Sequence, residues 1–314
     1  MPAQKSTKRY TILNKITTFA SCIAHSRATM KNTRGRFFFL QKSSRNREIM
    51  SRNYQSTLHQ IKARAAYLRH AHRRGGFGIH SPYIFRWLNS VLYEKTPFYA
   101  YEHLRSLRRS LQSDKTPISL HGFGTATRAR ITQVKNIART ATARQKHAEL
   151  LFRIVNDSHA KNILELGTNL GLTTLHLAKA NKQAHVITLE GEPALCQFAQ
   201  SLFRRENALN IQHLCGDIDQ TLPTALSNMP RLDLVFFDAN HTYDATMRYL
   251  HQCLPHAHDH SIFVFDDIHR SEGMERAWNE IKAIPQIRVT VDIFQMGIAF
   301  FNTDLQKENY VVAN

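Results

Sequence analysis

Between Asn162 and Lys179 the chain reads NILELGTNLGLTTLHLAK: a short apolar run ends in Glu165 and Gly167, and a helix-forming stretch opens after Gly171. A strand running directly into a glycine turn and a helix belongs to a parallel α/β sheet. In such a sheet ligands bind outside the carboxyl end of the first strand, where backbone N–H groups and a helix N-terminus converge. Gly167 and Gly171 let the main chain approach a ligand closely there.

The spacing separates two kinds of cofactor. A dinucleotide fingerprint needs G-x-G-x-x-G after the strand, and Asn169 stands where the second glycine should be. Close approach of a pyrophosphate is therefore disfavoured. A carboxylate at Glu165 suits a ligand that carries a positive amino group instead. A second apolar run, His185 to Leu189, ends in Glu190, where an acid could accept hydrogen bonds from both hydroxyls of a ribose. A third, Ile211 to Leu214, runs into Gly216 and Asp217, placed to reach an adenine edge.

Strand and helix go on alternating, as in a doubly wound α/β sheet. A strand over Asp233 to Phe237 ends in Asp238, a helix covers Thr242 to Cys253, a strand over Ser261 to Phe265 ends in Asp266 and Asp267, and a helix covers Glu272 to Ala283. The connection in IRVTVDIFQMGIAFF is too short for a crossover helix, so the last two strands must be antiparallel. Asp238, Asp266 and Asp267 then share one carboxyl edge of the sheet. Hard oxygen donors gathered there suit Mg²⁺ or a similar divalent cation, although helix capping is the other use of Asp at such places.

The first motif, with Glu165, Gly167, Gly171 and Thr173 in the form E-x-G-x-x-x-G-x-[ST], resembles that of the class I S-adenosylmethionine-dependent methyltransferases. The similarity is to the branch with catechol O-methyltransferase and bacterial small-molecule O-methyltransferases, and it spans roughly residues 146–302. It implies a Rossmann-like seven-stranded sheet with an antiparallel last strand. It implies S-adenosyl-L-methionine as cofactor, held by Glu165, Gly167, Thr168, Asn169, Gly171, Thr173, Glu190, Gly191, Asp217, Ile218 and Asp238. In that branch the positions of Asp238, Asp266 and Asp267 bind the metal, the last often being Asn. The general base there is a lysine at the offset of His241, and related sugar-modifying members have histidine. A neutral imidazole could take a hydroxyl proton near neutral pH, so His241 and Asp238 are the candidate catalytic residues.

The expected reaction is divalent-metal-assisted O-methylation of a small hydroxylated acceptor. Charge keeps a second reading in view. Lys and Arg number 11 against 1 acid over residues 1–50, 18 against 4 over 51–150, and 13 against 19 thereafter. A basic half joined to an acidic one fits a polyanionic partner, so RNA methylation is the alternative. Base-amino methyltransferases usually carry an Asn/Asp-Pro-Pro-Tyr type segment where this chain has Asp238-Ala-Asn-His241, which disfavours nucleic acid. A non-catalytic binding module is the remaining alternative, and intact acids at 238, 266 and 267 argue against it.

Three regions follow from composition. Residues 1–50 form a basic, Ser/Thr-rich tail expected to be disordered; it fits a transit peptide or, better, a start codon placed upstream of Met30 or Met50. Residues 51–145 form a helical extension capping the substrate, and 146–314 the cofactor-binding domain. Within the extension, Tyr54, Leu58, Ile61, Ala65 and Leu68 trace one helix face. Ser81 and Pro82 open a second helix with Ile84, Phe85, Leu88 and Leu92 inward, and His80 packs or caps beside it. The segment 121–125 (HGFGT) lacks a phosphate-loop ending and reads as a flexible turn, followed by one long helix over 129–156. The histidines at 251, 256, 258 and 260 lack cysteine partners and read as a solvated loop rather than a zinc site. The four cysteines show no C-x-x-C spacing, and no apolar run reaches membrane-spanning length. A cytoplasmic setting is expected, and a homodimer is compatible with it.

Overall fold

Four runs, Asn162–Leu166 (β3), His185–Glu190 (β4), Leu234–Phe237 (β6) and Ile262–Asp266 (β7), are apolar on both faces, the signature of parallel strands covered by helices above and below. In the computed structural model, which describes residues 59–71, 78–122 and 129–314, they form the centre of an eight-stranded sheet. With Ile211–Cys215 (β5), Val289–Asp292 (β8), Met296–Phe300 (β9) and Glu308–Val311 (β10), its order is β10-β8-β9-β7-β6-β3-β4-β5. β9 alone is reversed, pairing antiparallel with β7 and β8. The α/β doubly wound sheet is thus as expected, and the 292–296 connection is the expected hairpin. One strand was not foreseen: β10 adds in parallel to β8, so the sheet has eight strands and its reversed strand is not the last.

The two faces have separate cores. Ile163, Val186, Leu234 and Val264 point to one side, against helices that contribute Ile84, Trp87, Leu151, Ile154 and Leu177. Leu164, Ile187, Val235 and Phe263 point to the other, against Leu222, Leu250 and Trp278. Successive strand side chains alternate between faces, which is why both cores draw on the same strands.

The helical extension supports the first face. Helix Pro82–Trp87 opens as expected, with Ser81 Oγ accepting from the Ile84 amide at 3.4 Å and Pro82 in its first turn. His80 is exposed, so the cap is the serine's alone. Trp87 meets Phe300 edge-on at 5.1 Å. In the helix over 59–70 the buried residues are Ala63 and Tyr67, whereas Ile61 and Leu68 are 61% and 62% exposed, so the face inferred from periodicity is the outer one. Tyr67 decides the orientation: its hydroxyl donates to the Val312 carbonyl and its ring meets Phe294 at 5.3 Å.

The single helix expected over 129–156 is instead three elements. Arg130–Gln133 (β2) pairs antiparallel with Pro117–Leu120 (β1), and helices follow at Val134–Thr140 and Gln145–Ser158. The break has a tertiary cause: the Ala141 carbonyl accepts from Asn169 Nδ2 at 2.7 Å instead of continuing the helix. The basic tail over 1–50, Tyr54 and Leu58 of the first helix face, and residues 123–125 of the glycine turn lie outside the described residues.

Candidate active site

β3 is flanked by β4 on one side and β6 on the other, so the chain reverses its winding there and opens a crevice at the strand ends. A cleft of about 890 Å³ occupies this place, lined by the turns after β3, β4, β5, β6 and β7 and by the 130–147 segment. Gly167, Asn169, Glu190, Gly191, Asp217, Ile218, Asp238, His241, Asp266 and Asp267 all line it. Ten of the expected site positions, scattered over 101 residues of sequence, are brought together.

The others sit underneath. Glu165 is fully buried, its Oε2 accepting from Thr174 and from Thr188 Oγ1 at 2.7 Å, while Oε1 has no partner. It is not on the cleft surface, and burial raises its carboxyl to about 7. Thr168 and Thr173 are also buried, and the Thr168 hydroxyl bonds Thr188 at 2.6 Å. Gly171 packs rather than lines: a Cβ there would stand 2.6 Å from the Phe203 ring. Gly167 has φ +105°, and a Cβ would meet the Asp238 carbonyl oxygen at 2.4 Å.

The turn after β3 does not offer the free amides expected of it. Gly167 and Thr168 N–H both donate to the Leu189 carbonyl at 3.0 Å, Gly171 to Thr168 at 2.9 Å, and Asn169 to Glu190 Oε2 at 2.7 Å. Glu190 is therefore held by the loop it faces, its other oxygen accepting from the Glu192 amide at 2.9 Å. Burial raises its carboxyl above the usual range.

At the β6 and β7 ends the arrangement is electrostatic. Burial first, and then the neighbouring Asp266, push Asp238 well above the usual carboxylate range. Burial and Asp267 push Asp266 to about 7. Each of these buried carboxylates disfavours ionisation of the other. His241 Nε2 lies 3.5 Å from Asp238 Oδ1, and burial lowers the imidazole, leaving it neutral. Asp267 turns away to Arg270 at 2.9 Å. Among the described residues the three aspartates do not bring one oxygen each within 4.8 Å of the other two. Left-handed backbone gathers at this end, where Asn240, His241 and Asp267 have φ of 60°, 37° and 54°, with Asn169 at 52° in the turn after β3, and such residues cluster at functional sites.

Several lining residues were invisible to motif reading. Glu192, 5% exposed, receives the His121 and Gly122 amides at 2.7 and 3.1 Å, strapping the end of β1 to the turn after β4. Arg130, Arg139, Arg144 and His147 enter from the 130–147 segment, with Arg270 and Gln295. With its amide nitrogen donating to His147 Nε2 at 3.2 Å, Gln295 accepts from Arg144 at 3.1 Å. The donation fits a neutral ring, since burial lowers His147 to about 4. Only the second acid of the Glu190-Gly191-Glu192 doublet had a local signal. The four histidines near 251–260 do not assemble; His258, for one, bonds Asp233 at 2.9 Å.

The site thus joins a doubly wound sheet that has one reversed strand near its edge to acids at successive strand ends around one cleft. Residues 164–268, from within β3 to just past β7, match the family described as a methyltransferase domain. No curated protein matches the chain. Among solved structures, an O-methyltransferase from Bacillus cereus in complex with SAH is 18% identical over 68% of this chain and 96% of its own, with a TM-score of 0.47. The O-methyltransferase TomG from Streptomyces achromogenes, involved in tomaymycin synthesis and solved with SAM, is 17% identical over 69% and 97%, at 0.48. Cofactor-bound Rv0187 from MTB is 21% identical over 70% and 97%, also at 0.48. No helix of the described residues is long and apolar enough to cross a membrane.

Proposed function

We propose that the protein is an S-adenosyl-L-methionine-dependent O-methyltransferase acting on a small hydroxylated acceptor in the cytoplasm. The observation that carries this reading is the pairing, in one cleft, of Glu190 and Asp217 at the neighbouring ends of β4 and β5 with His241 beside Asp238 in the turn after β6. Glu190, Gly191, Asp217 and Ile218 receive the ribose and adenine. Gly167 and Asn169 border the methionine part, with Glu165 buried beneath them.

In the transfer the acceptor oxygen attacks the sulfonium methyl in line, the S–CH₃ bond breaks, and the hydroxyl proton passes to His241 Nε2. Rate then comes from positioning and from that proton transfer. Asp238, 3.5 Å from His241, stabilises the imidazolium that forms. Asp238 and Asp266 are adjacent hard donors and fit a divalent cation, with Asp267 available once released from Arg270. Such an ion, Mg²⁺ in the first place, would lower the acceptor hydroxyl's pKa. Four arginines in the cleft favour an acceptor that also bears an anionic group, and the 51–145 region acts as the acceptor cap.

Two measurements test the reading together. Calorimetry should show one equivalent of S-adenosylmethionine or its demethylated product binding the folded protein, and silence there would sink it. Labelled cofactor with sugars, catechols and their phosphorylated or carboxylated forms should then yield methyl ethers, with turnover reduced by chelator and restored by Mg²⁺. Equal rates in chelator would remove the metal while leaving the transfer.

A further inference from the structure

Outside the cleft, next to the turn that holds Glu190, stand three side chains that methyl transfer leaves unused. Cys196 lies in the first turn of the helix Pro193–Arg205, and His213 and Cys215 lie two residues apart on β5. Residues at i and i+2 of a strand share a face, and β5 is the edge of the sheet. One ligand atom from each of the three lies within 4.8 Å of the other two. His213 Nε2 is 3.9 Å from Cys215 Sγ, and Cys196 Sγ donates to the Glu190 backbone carbonyl at 3.3 Å. Cys196 is buried, His213 half-buried and Cys215 exposed, so the cluster has a dry base and an open mouth.

We propose that Cys196, His213 and Cys215 form a binding site for a borderline-soft divalent cation, Zn²⁺ in the first place, whose fourth position faces solvent. The donor set selects the ion: two sulfurs and an imidazole nitrogen with no carboxylate suit zinc and not magnesium or calcium. Charge selects it as well, because two thiolates and a neutral imidazole cancel a divalent cation at a half-buried position. Bond lengths of about 2.3 Å to sulfur and about 2.0 Å to nitrogen place tetrahedral ligand atoms roughly 3.5–3.8 Å apart. Contraction by about 1.3 Å at most is needed, within reach of side-chain rotation. His213 already has the required form, its ring packed edge-on to Phe203 at 5.8 Å and held neutral by burial. Its Nδ1 is buried without a partner, so no hydrogen bond competes for the ring's orientation.

The binding step is a proton exchange with no redox component. The Cys196 and Cys215 thiols lose their protons to buffer as two metal–sulfur bonds form, and the Cys196 hydrogen bond to the Glu190 carbonyl is released. Affinity therefore rises with pH. The Gly216 amide keeps its own bond to that carbonyl at 2.8 Å, so the turn survives the exchange.

The test uses the full-length protein, reduced and stripped with chelator, then titrated with Co²⁺ followed by Zn²⁺. One equivalent of Co²⁺ should give the thiolate-to-cobalt charge-transfer band with tetrahedral d–d absorption, and Zn²⁺ should abolish both. Cys215→Ser and His213→Ala should each weaken Zn²⁺ binding by at least about 100-fold, the upper range for losing even an outer partner of a ligand, with circular dichroism unchanged. Lack of the charge-transfer band in the reduced protein overturns the proposal. So does unaltered Zn²⁺ affinity in both variants, or recovery of a Cys196–Cys215 disulfide with no metal uptake.

Discussion

The two ends of the cleft satisfy their polar groups in opposite ways. At the β3–β4 end nearly every polar group of the turn has an internal partner: the Gly167 and Thr168 amides share the Leu189 carbonyl, and Glu190 is bound by the amides of Asn169 and Glu192. At the β6–β7 end Asp238 and Asp266 crowd each other, and the backbone at Asn240, His241 and Asp267 is left-handed. On the proposed function the β3–β4 half binds a constant donor and can be finished in advance, whereas the β6–β7 half serves the acceptor and holds its charge and strain for the transfer.

If the ends are separable in this way, Asp238→Ala should reduce turnover by about 10³-fold, within the range for losing a positioned acid–base partner, while S-adenosylmethionine affinity by calorimetry stays within a few-fold of wild type. Comparable loss of both would break the division. Gly167→Ala attacks the seam between the two ends. Its Cβ would lie 2.4 Å from the Asp238 carbonyl oxygen at a φ of +105°, so a cost of about 3 kcal/mol is expected in the denaturant midpoint. A variant as stable as wild type would mean that the turn relaxes freely.

This same contrast explains what the sequence alone could convey. The strand-to-turn motif from Glu165 to Thr173 and the acids closing β4, β6 and β7 are local signals, with apolar runs and terminal residues contiguous in the chain. Assembly of those acids around one cleft followed from topology. Other features depend on distant partners: β2 needs β1 to exist as a strand, the break after Thr140 needs Asn169, and the buried face of the 59–70 helix is set by Tyr67 meeting Val312 and Phe294. The arginines at 130, 139 and 144 were counted in a basic half but could not be placed in the cleft without those contacts. Cys196 and Cys215 are joined only by the packing of one helix on β5.

Glu165 offers a sharper probe of the donor end, through pH. Burial raises its carboxyl from 4.5 to about 7, so the folded state holds a proton that the unfolded state has lost between those values. The wild type should therefore lose stability as pH rises from about 4.5 to 7, and no further above that. Glu165→Gln removes the ionisation and should be more stable than wild type at pH 8 by on the order of 3 kcal/mol, with no advantage at pH 4.5. Parallel unfolding curves across that range would show that the carboxylate is compensated in the protein, and the donor end would then be no less charged than the acceptor end.

The smallest expected effect sharpens the acceptor end most. Of the arginines lining the cleft, Arg270 is engaged by Asp267 and Arg144 by Gln295, whereas Arg130 and Arg139 have no carboxylate partner among the described residues. Both are exposed, so each contributes no more than about 1 kcal/mol to a screened contact, or roughly five-fold in KM. Arg139→Ala should raise KM for phosphorylated or carboxylated acceptors by that factor, leave kcat unchanged, and leave KM for neutral hydroxylated acceptors where it was. The difference should shrink with added salt, as screening of exposed charges requires. An equal rise for charged and neutral acceptors would instead make Arg139 a packing residue of the cap, and the basic wall would no longer distinguish this end of the cleft from the other.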